Sequence, residues 1–111
     1  MKLLLDENLP VVLVKDFLPE HEAVTVKWMG WSGKVNGDLL SSMRSANIDF
    51  LVTVDRNLQH QLPLERYGIY LILLRVVHNK LPLLVPLIPM VKTYLHGGEF
   101  DRVKVIEADG R

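Results

Sequence analysis

Lys2-Leu3-Leu4-Leu5-Asp6-Glu7-Asn8-Leu9-Pro10 opens the chain: a short apolar run that stops at two carboxylates and an amide, then meets a proline. The run is too short for an ordinary helix, and its leucines do not alternate with polar residues. It therefore reads as a strand buried on both faces, the kind found in a parallel sheet covered by helices. Pro10 suits the first turn of a following helix, where its missing N–H has no intrahelical partner to lose. Asp6 and Glu7 then fall at a strand-to-helix junction, the usual place for a ligand site in an open α/β sheet.

The rest of the chain repeats this pattern. Leu9, Leu13 and Phe17, widened by Val14 and Leu18, predict a first helix from about Leu9 to Leu18, stopped by Pro19. Glu22 to Val26 predicts a second strand. Between Lys27 and Gly37 lie three glycines and both tryptophans, Trp28 and Trp31, with no sustained period, so a loop is expected. Asn36 reads as an N-cap and Asp38 as a first-turn carboxylate of a second helix, from about Gly37 to Ala46. Phe50 to Val54 is another apolar strand ending at a carboxylate, Asp55. A short helix over Leu58–Leu62 follows, then a strand over Ile69–Leu74 that exits at Arg75.

Leu83, Leu84, Leu87, Ile88, Val91, Tyr94 and Leu95 form a helical face interrupted by Pro86 and Pro89, which predicts a kinked start and regular helix mainly after Pro86. Gly97 and Gly98 end that helix, and the alternation in Arg102–Glu107 predicts a final edge strand. Strand and helix thus alternate, so a mostly parallel sheet is expected within a single domain spanning residues 1–111.

Composition narrows the function. The chain has no cysteine, which removes disulfide and thiolate chemistry and suits a reducing, cytoplasmic setting. Its 13 basic and 13 acidic residues balance, so charge-driven, non-specific nucleic-acid binding is not expected. The apolar stretches Ile69–Val77 and Leu81–Val91 fall short of the roughly 20 residues that cross a bilayer, so no membrane partner is expected. The early carboxylates break any signal-peptide core. His21, His60, His78 and His96 show no zinc spacing, and no serine lies in a nucleophile elbow. The glycines match neither a P-loop nor a dinucleotide fingerprint.

If the first and third strands are neighbours, Asp6 and Asp55 leave the same edge, with Asp38 and Glu7 the only other acids placed to join them. Carboxylates held together repel unless protons or a cation compensate, and hard oxygen donors suit Mg²⁺ or Mn²⁺. Metal-assisted phosphodiester hydrolysis follows as one reading. Acids after strands also serve as turn and cap residues, which is the other. Trp28 and Trp31 are expected to fill the core or a dimer contact more than to stack on bases. Arg56, Arg75, Lys27 and Lys34 are candidate phosphate contacts, Arg75 first among them because it leaves a central strand.

Asp6-Glu7-Asn8-Leu9-Pro10, His21-Glu22-Ala23-Val24, Gly30-Trp31-Ser32-Gly33 with Asn36-Gly37-Asp38-Leu39-Leu40, and Val52-Thr53-Val54-Asp55-Arg56-Asn57-Leu58 follow one another in an order that resembles the short PIN-like family related to toxin ribonucleases. The likeness covers nearly the whole chain and is most specific from Met1 to Gln61. It implies a three-layer α/β/α sandwich and an acidic ribonuclease site dependent on Mg²⁺ or Mn²⁺, as in toxin–antitoxin systems, with RNA as substrate and a small antitoxin protein as partner. Asp6 matches the first acid of the family, Asp38 the helix acid and Asp55 the acid after the later strand. Many relatives carry a further acid where this chain has Asn57, whose amide oxygen can ligate a metal with one negative charge fewer. Glu7, Asn8, Arg56 and Arg75 are expected to border the site as supporting or substrate-contacting groups.

Two functions of different class follow. One is a metal-dependent endoribonuclease with Asp6, Asp38 and Asp55 as ligands and Asn57 as an auxiliary ligand. The other is a PIN-like module that binds a protein or nucleic-acid partner without turnover. Apolar residues on the proline-rich helix also leave room for a homodimer.

Overall fold

Leu3, Leu4 and Leu5 are all fully buried in β1 (Lys2–Leu5), because the strand lies inside a sheet covered on both faces. The computed structural model describes residues 1–108. β2 (Glu22–Thr25), β3 (Phe50–Thr53), β4 (Tyr70–Arg75) and β5 (Val103–Glu107) complete a five-stranded sheet in the order β2-β1-β3-β4-β5. Every neighbouring pair is parallel, so the carboxyl ends of all the strands share one edge. The expected mostly parallel sheet is therefore wholly parallel, with β5 at its edge.

Side-chain alternation along the strands divides the core in two. Leu3, Leu5, Phe50, Val52, Ile72 and Leu74 pack on one face, and Leu4, Leu51 and Leu71 on the other. The first face is covered by the segment Val11–Phe17 and by α5 (Ile88–His96), the second by α1 (Asn36–Ser45) and α3 (Leu64–Tyr67). The result is a three-layer α/β/α arrangement.

The local differences from the expected elements have physical causes. Val11–Phe17 winds as 3-10 turns, not as an α-helix over Leu9–Leu18. Three of its first four residues are β-branched, and the Leu13 N–H donates to the Pro10 carbonyl at 3.1 Å in the tighter register. Leu13 and Phe17 still reach the core. Asn36 does not cap α1 through its side chain; its backbone is left-handed instead (φ 49°), a conformation asparagine adopts more readily than most residues. α2 (Leu58–Gln61) is the expected short helix, while α3, beyond Pro63, was not expected from its four residues.

The proline-rich stretch breaks into α4 (Leu81–Leu84), a 3-10 turn (Val85–Leu87) and α5. Each piece carries its proline within its first two positions, where no intrahelical hydrogen bond is lost. Among the described residues, no helix is long and apolar enough to cross a membrane.

Candidate functional site

Register brings the two acid-bearing strand ends together. Leu5 of β1 pairs with Val52 of β3, so the next residues, Asp6 and Thr53, emerge side by side at the carboxyl edge. The Asp6 N–H extends the ladder by donating to the Val52 carbonyl at 2.9 Å. Thr53 is the one polar residue buried in the core among the described residues, and its hydroxyl donates to Asp6 Oδ2 at 2.8 Å. That same Oγ1 accepts the Asp55 N–H at 3.0 Å. Asp6 Oδ1 accepts the Glu7 N–H, and Asp55 Oδ1 accepts the Asn57 N–H, each at 2.9 Å. One continuous set of hydrogen bonds thus orients both carboxylates before any ligand arrives.

Burial of Asp6 holds its carboxyl above the ordinary carboxylate range. The charges of Asp55 and Glu7 push the same way, against the lowering effect of the hydrogen bonds from Thr53 and from the Glu7 backbone. A cation beside the pair would remove this repulsion. Both carboxylates offer hard oxygens with lone pairs to spare, a donor set that fits Mg²⁺ or Mn²⁺.

The other expected residues are placed differently. Asp38 is exposed in the first turn of α1, on a helix that must run back from the carboxyl edge to reach the start of β3. It makes no side-chain hydrogen bond to Asp6 or Asp55, and among the described residues no three His, Asp or Glu side chains gather closely enough to hold a metal ion. Asp6 and Asp55 alone would leave most of a cation's coordination sphere to water, which Mg²⁺ tolerates. Asn57 is exposed and meets the site through its backbone N–H. Glu7 does likewise. The Asn8 carbonyl accepts Asn79 Nδ2 at 2.6 Å, tying the turn after β1 to the turn after β4.

Two cavities open on the carboxyl edge. One, of about 530 Å³, has Asp6, Glu7 and Leu9 on one side and Thr25, Lys27 and Trp28 on the other. The second, of about 570 Å³, lies at the ends of β3, β4 and β5 and takes in Arg56 and Arg75. Arg75 is also 3.8 Å from Glu107 in an exposed ion pair, so its charge is partly engaged away from the carboxylates. Family models, curated proteins and solved structures give no match to this chain. The case for function therefore stands on its own residues.

Reading the sequence missed Thr53. The available signal was a lone hydroxyl inside an otherwise apolar strand, two residues before Asp55. Of the two tryptophans expected in the core or at a dimer contact, Trp31 lies against the second core face, while Trp28 is 80% exposed in the single chain and so is not part of its core.

Proposed function

We propose that the chain is a metal-dependent endoribonuclease that hydrolyses RNA phosphodiesters at the Asp6–Asp55 edge. The observation that supports this reading is the hydrogen-bonded path from the Asp6 carboxylate through Thr53 to the Asp55 backbone N–H, which ties the two acid-bearing strand ends together at the carboxyl edge although burial and the charge of Asp55 oppose ionising Asp6. Structural ion pairs rarely place like charges together; sites built to receive a cation or a proton do. The assignment as the toxin-like member of a toxin–antitoxin pair, with a small protein antitoxin, rests on the family resemblance alone.

Asp6 and Asp55 would hold the cation, and Asp38 and the Asn57 amide would have to move toward it to add ligands, since among the described residues no third acid is gathered with them. When bound, Mg²⁺ or Mn²⁺ supplies an activated water and neutralises charge on the phosphate. Thr53 keeps the Asp6 carboxylate in one orientation and so reduces the reorganisation needed at reaction. Lys27 and Arg56, each lining one of the two cavities on this edge, would be placed to meet phosphates of the RNA.

Cleavage of a fluorogenic RNA in Mn²⁺ tests the reading. The unmodified chain should cut, and Asp6→Asn and Asp55→Asn should each abolish cutting while remaining folded. Equal cutting by both variants would remove the assignment. A second reading, a PIN-like module that binds a partner without turnover, draws on Asn57 and on the lack of a gathered three-acid group among the described residues. Mn²⁺ calorimetry separates the two: binding lost in Asp55→Asn supports the enzyme, and no binding supports the module.

A further inference from the structure

We propose that Trp28 is a stacking platform for one unpaired nucleobase of the RNA, with Lys27 meeting an adjoining phosphate; this deepens, and rests on, the ribonuclease reading of the Asp6 site. Tryptophan is among the more buried residue types on average, yet the Trp28 side chain is 80% exposed while Trp31, three residues on, packs against the core. Its position is not that of a loose loop. The Trp28 N–H donates to Thr25 Oγ1 at 3.0 Å, the Met29 N–H to the Thr25 carbonyl at 3.1 Å, and the Trp31 N–H to the Val26 carbonyl at 3.0 Å. The Gly30 N–H closes the turn on the Lys27 carbonyl at 3.0 Å, with Gly30 at φ 75°, where a side chain would be strained. An exposed indole is thus mounted on a backbone pinned to the end of β2.

The platform lines the same cavity as Asp6 and Glu7. A base stacked on Trp28 therefore belongs to a strand whose backbone can pass Asp6. Lys27 is exposed and, among the described residues, has no ion pair, so its charge is available to the phosphate next to that base. A lysine and an indole lining the cavity suit a polyanion with flat apolar bases, and the carboxylates beside them admit its phosphates once a cation offsets their charge. Bases inside a duplex already stack on one another and cannot offer a face, so the occupant is single-stranded. Trp28 also borders an apolar groove that includes Val11, Val12 and Leu18, and the competing occupant, a protein surface, is an outcome of the test.

The chain contains two tryptophans, so Trp31→Phe leaves Trp28 as the sole tryptophan, excited apart from the three tyrosines at long wavelength. In that background, with Ca²⁺ replacing Mn²⁺, single-stranded oligouridylate should quench Trp28 emission and an RNA duplex should not. In Mn²⁺, Trp28→Ala should raise KM for single-stranded RNA about tenfold with kcat unchanged, and Trp28→Phe should restore KM. Equal quenching by duplex, an unchanged KM, or a Trp28→Ala variant that only dissociates a dimer in light scattering would overturn the platform. If the unmodified chain cleaves RNA and Trp28→Ala matches it, the platform fails and the nuclease stands. If the unmodified chain does not cleave, the nuclease reading fails, and quenching alone decides the platform: its presence supports single-strand binding and its absence ends it.

Discussion

Thr53 and Asp6 lie 47 residues apart in sequence, and the hydroxyl of the first donates to the carboxylate of the second at 2.8 Å. The bond exists because β1 and β3 are parallel neighbours in a register that sets the two residues side by side. Since Thr53 Oγ1 also accepts the Asp55 N–H, one buried hydroxyl links both acids.

Thr53→Val keeps the shape and removes the hydroxyl, leaving Asp55 N–H and one Asp6 oxygen without their partner. Leaving such groups unpaired costs about 1–3 kcal/mol, which urea unfolding will read as a lower midpoint. Thr53→Ser should retain most of the stability, and if Thr53→Val is as stable as the parent, the hydroxyl is not holding the two ends.

Asp6 titrates above its ordinary value in the folded chain, so its ionisation opposes folding. Its contribution to stability is full below the unfolded value, near 3.8, and is lost as pH rises through the folded one. In metal-free protein, the Tm difference between Asp6→Asn and the parent should therefore move in favour of the variant as pH rises from that value toward neutrality, whatever the variant loses as an acceptor for Thr53. Calorimetric melts across this range check it, and a difference that does not change with pH would contradict it.

Asp38 stands apart from the linked pair. Asp38→Asn should reduce Mn²⁺-dependent cleavage roughly tenfold, the size of loss typical of a supporting group, while Asp6→Asn and Asp55→Asn go to background. Equal loss in all three single variants would show that Asp38 joins the other acids once metal and RNA are bound.

Asn79 lies outside both acid-bearing strands, yet its Nδ2 donates to the Asn8 carbonyl at 2.6 Å. Asn79→Ala should cost about 1 kcal/mol and speed amide hydrogen exchange in the turn after Asp6. Unchanged exchange there would mean that the turn is held without this tie.

Much of the framework was legible in order along the chain. Runs such as Leu3–Leu5 and Phe50–Val52 have no polar residue to place on a solvent face, so burial on both sides and a parallel sheet follow from hydrophobicity alone. Where propensity and periodicity disagreed, sequence reading failed: Leu13 and Phe17 kept their helical spacing, but the valines around them wound the segment as 3-10 turns. Trp28 failed for a related reason, since composition says that tryptophan is usually covered but cannot say which of two neighbouring tryptophans the core has room for.

The sequence by itself determined the alternating strands and helices, the parallel sheet and the delivery of an acid to the end of each of two strands, because these depend on local hydrophobic pattern and turn chemistry. Only the tertiary structure decided that Thr53 joins Asp6 to Asp55, that Asp38 stands off from them and that Trp28 is left bare beside them. Those facts depend on strand order, register and the space left between packed layers, which are properties of contacts between residues far apart in the chain.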